Sequence, residues 1–305
     1  MRILVTGGAG FIGRHLVRRL SSDDSTEIRV LDNLRRGAVS SLWSNRVEFV
    51  HEDIRNVSAV RKALQGVDIV YHLAAQSNVL GAVHDLDYSF HTNVVGTFNL
   101  LSAAREENIR RFIFASSREV YGETEDLPVR ESSPVNPKNA YGASKAAGEF
   151  YCRVFAQSGF ETTVLRLANV YGAGDRDRVI PLFIRNALAG LPLVIFGDRK
   201  VLDFVWVGEV VDALLLAQSK HWAGNIVNIG SGYGVTLSEL ATRIVDGTSS
   251  SSPLQFARAR SGEVDQFVAD IQLAKELGHH PAADSLGNLS EVIQSTSASD
   301  KSLLP

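Results

Sequence analysis

The sequence predicts an α/β fold, in which a doubly wound parallel sheet is followed by a smaller C-terminal part, and three observations support this. Short apolar segments rich in Val, Ile and Phe alternate with helix-like segments over the first half of the chain. Near-continuous apolar strands separated by helices are typical of a parallel sheet that is covered on both faces. A glycine-rich turn joins the first strand to the first helix, and the alternation weakens after about residue 168, where Gly-rich and Ser-rich loops become frequent.

The predicted elements follow one another with short connections. We place strands at residues 2–6, 27–31, 47–50, 68–73, 111–115 and 162–167. Helices fall between most of them, at residues 11–20, 57–65, 90–105 and 143–157. In such a sheet a ligand is expected at the carboxyl ends of the strands.

Composition excludes several classes of protein. Among 305 residues, 31 are Lys or Arg and 34 are Asp or Glu, which gives a net charge of −3. This balance, without a Lys/Arg-rich run, argues against a nucleic-acid partner. No apolar run approaches the ~18 residues of a membrane span, and there is no signal-peptide pattern, so we expect a cytoplasmic protein without a membrane partner. The single cysteine, Cys152, is expected to be a buried structural thiol, and no metal site is predicted.

The first motif is TGGAGFIG at residues 6–13, between the first strand and the first helix. Gly7, Gly10 and Gly13 permit a tight turn, a close approach of the backbone to a pyrophosphate, and close packing of the helix on the strand. The helix N-terminus, which contains Phe11 and Ile12, supplies amide donors to an anion. The motif therefore predicts a dinucleotide in a Rossmann arrangement.

The second motif is LDNL at residues 31–34, and further residues at the strand ends complete the predicted cofactor site. Asp32, with Asn33, ends the second strand, where a carboxylate can accept from the ribose diol and repel a 2′-phosphate, so NAD is favoured over NADP. Arg35 and Arg36 either meet phosphate or are solvated loop residues. The ends of the third and fourth strands add the remaining candidates, namely Asp53, Ile54, Leu73, Ala74 and Ala75.

The third motif, YGASK at residues 141–145, opens a helix. Tyr141 and Lys145 share one face because they are four positions apart. The ammonium of Lys145 is expected to favour the ionised phenol and to lower the pKa of Tyr141. Tyr141 then becomes a usable base near neutral pH.

The fourth motif, ASSREVYG at residues 115–122, follows the fifth strand. Ser117 is placed to hydrogen-bond the substrate hydroxyl that Tyr141 deprotonates. Glu119 has two interpretations: it is a second acid or base, or it is merely the partner of Arg118.

These four motifs, in this order, resemble the extended short-chain dehydrogenase/reductase family, in its NAD-dependent nucleotide-sugar epimerase and dehydratase branch. The resemblance extends to NVVGT at 93–97, RLANVYG at 166–172, DFVWV at 203–207 and RSGEV at 260–264, and so covers nearly the whole chain. It implies that residues 1–168 form an NAD-binding Rossmann domain, to which 203–230 return, and that 169–305 mainly bind a nucleotide sugar. By the same likeness Asn93 belongs to the cofactor site, and the residues that contact the substrate are Gln76, Ser117, Asn169, Arg176 and Arg260.

One departure from the family pattern concerns the substrate diphosphate. Relatives usually carry a phosphate-binding Arg just before the Asp-Phe pair, where this chain has Leu202. Either Lys200 or Arg199 replaces it, or the diphosphate is held differently.

The resemblance is closest to UDP-glucose 4-epimerases. In that reaction Tyr141 and NAD oxidise a sugar hydroxyl at C4, and the 4-keto sugar turns over before it is reduced again. Dehydratases of this branch carry Asp-Glu where this chain has Arg118-Glu119, so the loss of the Asp counts against elimination. The alternatives are a 4,6-dehydratase or UDP-glucuronate decarboxylase that uses Glu119, net reduction of a keto sugar, and a catalytically silent NAD-binding sensor.

An apolar stripe on the predicted helix 143–157, together with the helix near 90–105, suggests a homodimer, as in relatives of this family. The stripe consists of residues 143, 146, 147, 150, 151, 154 and 155. Packing within one chain is the alternative for part of it.

Overall fold

The computed structural model describes residues 1–301, apart from 40–42, 44–45, 78, 198 and 261. Along these residues the strands are β1 (Arg2–Thr6), β2 (Glu27–Asp32), β3 (Val47–His51), β4 (Ile69–His72), β5 (Arg111–Ser117), β6 (Thr162–Leu167), β7 (Asn169–Tyr171), β8 (Leu193–Phe196), β9 (Val201–Trp206), β10 (Ile226–Ile229), β11 (Gly234–Thr236), β12 (Leu254–Ala257) and β13 (Gln266–Phe267). The α-helices are α1 (Phe11–Leu20), α2 (Val57–Leu64), α3 (Val79–His84), α4 (Leu86–Phe90), α5 (Thr97–Glu106), α6 (Ala140–Gln157), α7 (Val179–Leu188), α8 (Val207–Leu216), α9 (Leu237–Gly247), α10 (Gln272–Glu276) and α11 (Leu289–Lys301).

The central sheet has seven strands in the order β10-β6-β5-β4-β1-β2-β3, and every neighbouring pair is parallel. This confirms the predicted fold class, with six strands at the predicted places. The seventh, β10, lies far along the chain and extends the sheet beyond β6. Strands β4, β5 and β6 are buried along their whole length, as expected for central strands of a sheet that is covered on both faces.

Alternate residues of the central strands enter two cores on opposite faces of the sheet. Ile3 and Val5 pack in a core that includes Leu16 of α1 and residues of α8. Leu4, between them, packs with Leu64 of α2 and with residues of α5. Because side chains alternate across a strand, one apolar run serves both cores. This is the doubly wound arrangement.

The predicted helix 90–105 is divided into three segments: α4, a π-helical segment His91–Gly96, and α5. In the π segment the carbonyl of Asn93 accepts a hydrogen bond of 2.6 Å from the hydroxyl of Thr97. A wider turn of this kind inside a helix is frequent at functional sites. Helix α6 begins at Ala140, earlier than predicted, because the Asn139 side chain caps it by accepting from the amide of Gly142 at 2.9 Å.

The C-terminal part is built on β9, which pairs with β11, β13 and β7, and on a separate pair of β8 and β12. Helices α7, α9 and α11 cover a third core around Phe183, Phe204 and Leu240. The chain returns to the central sheet through α8, which packs against α1, and through β10. Within the described residues no helix is long and apolar enough to cross a membrane.

Candidate active site

A cavity of about 490 Å³ lies at the carboxyl edge of the central sheet, where the C-terminal part faces it. Its lining comes from the ends of β1, β2, β4, β5 and β6 and from the segment that follows β7. The cavity therefore lies where a doubly wound sheet is expected to hold its ligand.

The turn after β1 leaves no room for side chains. Gly7 has φ of +71°, and a Cβ there would lie 2.6 Å from the amide nitrogen of Ala74. A Cβ on Gly13 would lie 2.2 Å from the carbonyl oxygen of Gly7, so glycine lets α1 approach β1. Gly10 precedes α1, and no side chain caps the helix there. The first amides of α1 therefore remain available beside the cavity, which Gly7, Gly10, Phe11, Ile12 and Gly13 line.

Asp32 lies at the end of β2, largely buried at 8% exposure, on the cavity wall. Burial raises the pKa of its carboxyl group, although the amides of Leu34 and Ala9 donate to it and favour the charged form. Asn33 and Ile54 also line the cavity, whereas Asp53 does not. Asp53 accepts from the Asn33 amide at 2.9 Å and pairs with Arg55 at the same distance, so it lies behind the wall.

The end of β4 brings Leu73, Ala74, Ala75 and Gln76 to the cavity. Asn93 stays outside it. Its side chain accepts from the amide of Gln76 at 2.8 Å and donates to the carbonyl oxygen of Gln76 at 3.1 Å and to the hydroxyl of Ser144 at 2.9 Å. Asn93 thus fixes the loop after β4 against α6 and does not itself reach the cavity.

Ser117, Tyr141 and Lys145 meet on the cavity wall, as the motifs predict. Ser117 ends β5, and Tyr141 and Lys145 come from the first turns of α6. Lys145 is 3% exposed, and its Nζ donates to the carbonyl oxygen of Ala115 at 2.7 Å. The Nζ atom is 6.0 Å from the centroid of the Tyr141 ring. Burial lowers the pKa of Lys145 to about 8, and the charge of Glu149 acts in the opposite direction.

The sequence predicts a lowered pKa for Tyr141, and the structure shows the opposite. Burial raises the pKa of the phenol to about 12, while the charge of Arg178 and hydrogen bonding with Ser117 act to lower it. The prediction is wrong because it counted a neighbouring cation and not the loss of water around the phenol, which disfavours the phenolate. It also chose the wrong cation, since Arg178 of the loop before α7 is the larger influence.

Glu119 lines the cavity with both carboxylate oxygens engaged. One oxygen pairs with the Nη2 of Arg118 at 2.9 Å, and the other accepts from the side chain of Asn139 at 2.7 Å. Glu119 is 6% exposed. In this arrangement Glu119 is the partner of Arg118 and holds the residue that caps α6.

On the substrate side, Asn169, Arg176 and Arg260 all line the cavity. The amide of Asn169 is held between Arg118 Nε, at 3.3 Å, and the carbonyl oxygen of Asp203, at 3.0 Å. The guanidinium of Arg260 lies 3.8 Å from the centroid of the Phe196 ring. Residue 261 of the same motif lies outside the described residues.

The structure distinguishes the two candidates for the missing cation at Leu202. Lys200 is 6% exposed, lines the cavity and pairs with Glu263, to which Arg260 also lies close, at 3.5 Å. Arg199 is exposed and is not among the lining residues.

Sequence analysis missed Arg178 at this cavity, and it left Arg36 open between a phosphate contact and a solvated loop residue. Arg178 pairs with Asp175 at 2.9 Å and acts electrostatically on Tyr141. Arg36, after β2, pairs with Asp177 of the same loop and so connects the sheet edge to the C-terminal part. The only signal in the sequence is the charged run Asp-Arg-Asp-Arg at residues 175–178, which follows the RLANVYG motif closely.

Comparisons with known proteins agree with this geometry. The model of the NAD dependent epimerase/dehydratase family matches residues 3–230. A putative UDP-glucose 4-epimerase of Methanocaldococcus jannaschii is 38% identical over 299 residues, which cover 95% of this chain and 97% of that protein.

Solved structures match over almost the whole chain. A UDP-glucose 4-epimerase from Thermotoga maritima, solved with UDP-glucose, has a TM-score of 0.93 at 33% identity and covers 100% of both chains. A dTDP-glucose 4,6-dehydratase from Streptomyces venezuelae, solved with NAD bound, has a TM-score of 0.93 at 31% identity and covers 99% of this chain and 98% of its own. Since both reactions occur on this fold, the choice between them must come from the site.

Proposed function

The chain belongs to the NAD-dependent epimerase/dehydratase family, and we propose that within it the protein is a 4-epimerase of a UDP-sugar of the UDP-glucose/UDP-galactose type. The supporting observation is the combination of Ser117, Tyr141 and Lys145 on one cavity wall with a Glu119 that is fully paired. The three residues supply what oxidation at C4 needs, and the paired Glu119 removes the extra acid or base that elimination needs.

NAD is the cofactor of this family, and the residues of the cavity fit it. The turn at Gly7 and Gly13 has no space for a Cβ, and the uncapped amides of α1 suit a pyrophosphate. Asp32 at the end of β2 suits a ribose diol. We propose that residues 1–168, with 203–230, hold NAD through this surface, and that the remaining C-terminal residues hold the nucleotide sugar.

Bound NAD would supply the hydride acceptor and donor for the sugar carbon. Side chains of the protein remove and return the proton of the C4 hydroxyl. Ser117 is placed to hydrogen-bond the reacting hydroxyl, and Tyr141 takes its proton and later returns it to the same oxygen. Because burial raises the pKa of Tyr141 to about 12, the phenolate depends on nearby positive charge, of which Arg178 supplies the larger share. We assign a smaller share to Lys145, whose Nζ lies 6.0 Å from the centroid of the Tyr141 ring.

The paired state of Glu119 favours epimerisation over dehydration. A dehydratase needs one group to remove the C5 proton and another to protonate the departing C6 hydroxyl. Both oxygens of Glu119 are already engaged within the protein, one by Arg118 and the other by Asn139, so neither is free for the substrate. A 4-epimerase needs no acid or base beyond the one that serves C4.

The diphosphate of the sugar nucleotide is assigned to the cations of the C-terminal part. Lys200 is buried in the cavity wall and takes the place of the arginine that relatives carry at position 202. Arg260 shares the Glu263 carboxylate with it, and Arg176 lines the same cavity. We assign to Glu263 the role of keeping both cations in position.

We also propose a homodimer through the exposed apolar face of α4, α5 and α6. Phe150 is 53% exposed and Val154 59% exposed on α6, and Phe90 and Phe98 are 53% and 41% exposed beside them. Adjacent exposed aromatic side chains are typical of an interface with another protein. A second copy of the chain would cover the same face on each subunit.

The test is to incubate the purified protein, without added cofactor, with UDP-glucose, UDP-N-acetylglucosamine and UDP-glucuronate in separate reactions, and to follow products by NMR and mass spectrometry. We expect an unchanged mass and inversion at C4. Loss of the mass of water or of carbon dioxide would instead assign a dehydratase or a decarboxylase. Retained NAD with no conversion of any sugar nucleotide would support a sensor.

A further inference from the structure

A cluster of buried polar side chains lies beside the catalytic residues, and of its three members only Ser116 lines the cavity. Ser116, Glu149 and Arg166 are 3%, 4% and 1% exposed. Arg166 Nε lies 3.0 Å from one oxygen of Glu149 and 3.1 Å from the other, and Arg166 Nη2 donates to Glu149 at 2.6 Å. The hydroxyl of Ser116 also donates to Glu149. The carboxylate is therefore fixed from β5 and β6 at once.

This ion pair needs an explanation other than stability. A buried ion pair can often be replaced by apolar residues of similar volume without loss of stability, because removing two charges from water is costly. Glu149 stands one helical turn after Lys145 and two turns after Tyr141, on the same face of α6. Side chains four positions apart on a helix have Cβ atoms about 5–6 Å apart.

The surroundings of Lys145 contain few groups that can balance its charge. On α6 these are Tyr141, Glu149 and Cys152, and on β4 there is His72. Burial raises the pKa of both Tyr141 and Cys152, so both stay neutral near pH 7. Burial also lowers the pKa of His72 well below its ordinary value, so its ring is neutral too. Among these groups, Glu149 is the one whose charge acts most to raise the pKa of Lys145.

Among the described residues of β5, β6 and the turn after β5, no second anion contacts Lys145. Arg166 on β6 is a cation and is bound to Glu149. Arg118 and Glu119, in the turn after β5, neutralise each other. From β5 itself, Lys145 receives the neutral carbonyl of Ala115.

We propose that Glu149 is a positioning residue whose carboxylate, held by Arg166 and Ser116, keeps the buried ammonium of Lys145 charged beside Tyr141. The catalytic part of the proposal rests on the proposed function, in which the charges of Lys145 and Arg178 together favour the phenolate of Tyr141. The protonation of Lys145, which the proposal concerns directly, can be measured without any substrate.

The experiment follows the titration of Lys145 by NMR in protein labelled with ¹³C and ¹⁵N at lysine, with the signal assigned by its absence in Lys145→Arg. In Glu149→Gln we expect the midpoint to fall by about one pH unit or more, because an opposite charge within about 4–6 Å shifts a pKa by 1–3 units. In Arg166→Met the midpoint should not fall, since Glu149 keeps its charge and loses its counter-ion. General damage to the fold would move both variants in the same direction.

Each single variant leaves a buried charge unpaired and is expected to be less stable. The double variant Glu149→Gln/Arg166→Met removes both charges, and its midpoint should stay low while its stability recovers relative to Glu149→Gln. The proposal is overturned if the Lys145 titration midpoint of Glu149→Gln equals that of the wild type. If Glu149→Gln does not fold, an unchanged Lys145 midpoint in the double variant overturns it instead. So does a fall in Arg166→Met equal to that in Glu149→Gln.

The pH profile of kcat gives the catalytic counterpart. In Glu149→Gln its alkaline limb should move to lower pH by the same amount as the NMR midpoint. If the wild-type protein converts no UDP-sugar, the proposed function fails while the NMR titration still decides the role of Glu149. If the NMR midpoint moves and the alkaline limb of an active enzyme does not, Glu149 has no catalytic positioning role.

Discussion

Replacing Gly10 with alanine separates folding from NAD binding at the turn after β1. Gly10 has φ of −74° and ψ of −176°, which alanine adopts without strain. The nearest atom to the added Cβ is the carbonyl oxygen of Gly7 at 3.1 Å, so the folded protein need give way by only a few tenths of an ångström. Alanine also restricts the unfolded chain, which favours the folded state by about 0.4–1 kcal/mol. Its poorer capping of α1 offsets this, so the free energy of unfolding should change by less than about 1 kcal/mol.

The affinity for NAD should fall, because the new methyl group stands where the pyrophosphate must approach the amides of α1. We expect a loss of at least about tenfold, or 1.4 kcal/mol. Urea unfolding of the NAD-free protein measures the free energy of unfolding, and calorimetric titration with NAD measures the affinity.

Gly13→Ala is the matched control for this experiment. Its Cβ would lie 2.2 Å from the carbonyl oxygen of Gly7 and 2.6 Å from the Cα of Gly8, both of which belong to the backbone. Relief requires α1 to move away from β1, and overpacking of this kind costs about 1–3 kcal/mol of stability. If Gly10→Ala binds NAD as tightly as the wild type, the phosphates do not lie against Gly10 and the assignment of this turn is refuted.

Three further predictions concern the substrate side and the subunit interface. Lys200→Met should raise KM for the UDP-sugar by roughly tenfold or more in steady-state kinetics, because a hydrogen bond to a charged group contributes about 1.5–3 kcal/mol; an unchanged KM would remove Lys200 from the diphosphate site. Glu119→Gln should keep kcat within about tenfold of the wild-type value, whereas loss of a required acid or base would lower kcat by about 10²–10⁴-fold. Steady-state kinetics with products followed by mass spectrometry distinguish these two outcomes. Phe150→Asp should yield monomers in sedimentation velocity. The control is Phe256→Asp, which replaces an apolar residue that is 63% exposed elsewhere on the surface and should leave the oligomeric state unchanged. Dimers in both variants would place the interface on another face.

The central sheet is predictable from sequence because its signals are local. Strands β4, β5 and β6 are buried throughout, so each contains several apolar residues in a short segment. The glycine turn is largely local as well: Gly13 is required by its contacts with Gly7 and Gly8, and Gly7 by its φ of +71°. The close approach of Ala74 to Gly7 is the part that the local sequence does not show. The strand β10 could not be placed in this way, because its position beside β6 depends on a partner some sixty residues earlier in the chain.

The chemistry of the site is less predictable than its location. The spacing of Tyr141 and Lys145 correctly places both on the cavity wall. The spacing does not show how much water the fold removes from the phenol, and that loss raises the pKa of Tyr141 to about 12. The state of Glu119 likewise depends on Asn139, a residue twenty positions away whose side chain also caps α6.

Both the central sheet and the C-terminal part influence the ionisation of the Tyr141 phenol. Ser117, from the central sheet, hydrogen-bonds the phenol, and Arg178, from the loop that precedes α7, supplies the larger favourable charge. Lys145 and Glu149 extend the same helix face toward β6. A phenol so deeply desolvated remains protonated unless several cations surround it, and these cations come from different elements of the fold. Under the proposed function, the C-terminal part therefore has a second role besides binding the nucleotide sugar. Through Arg178 it also favours the ionisation of Tyr141, so the reactivity of Tyr141 should depend on both parts being in place.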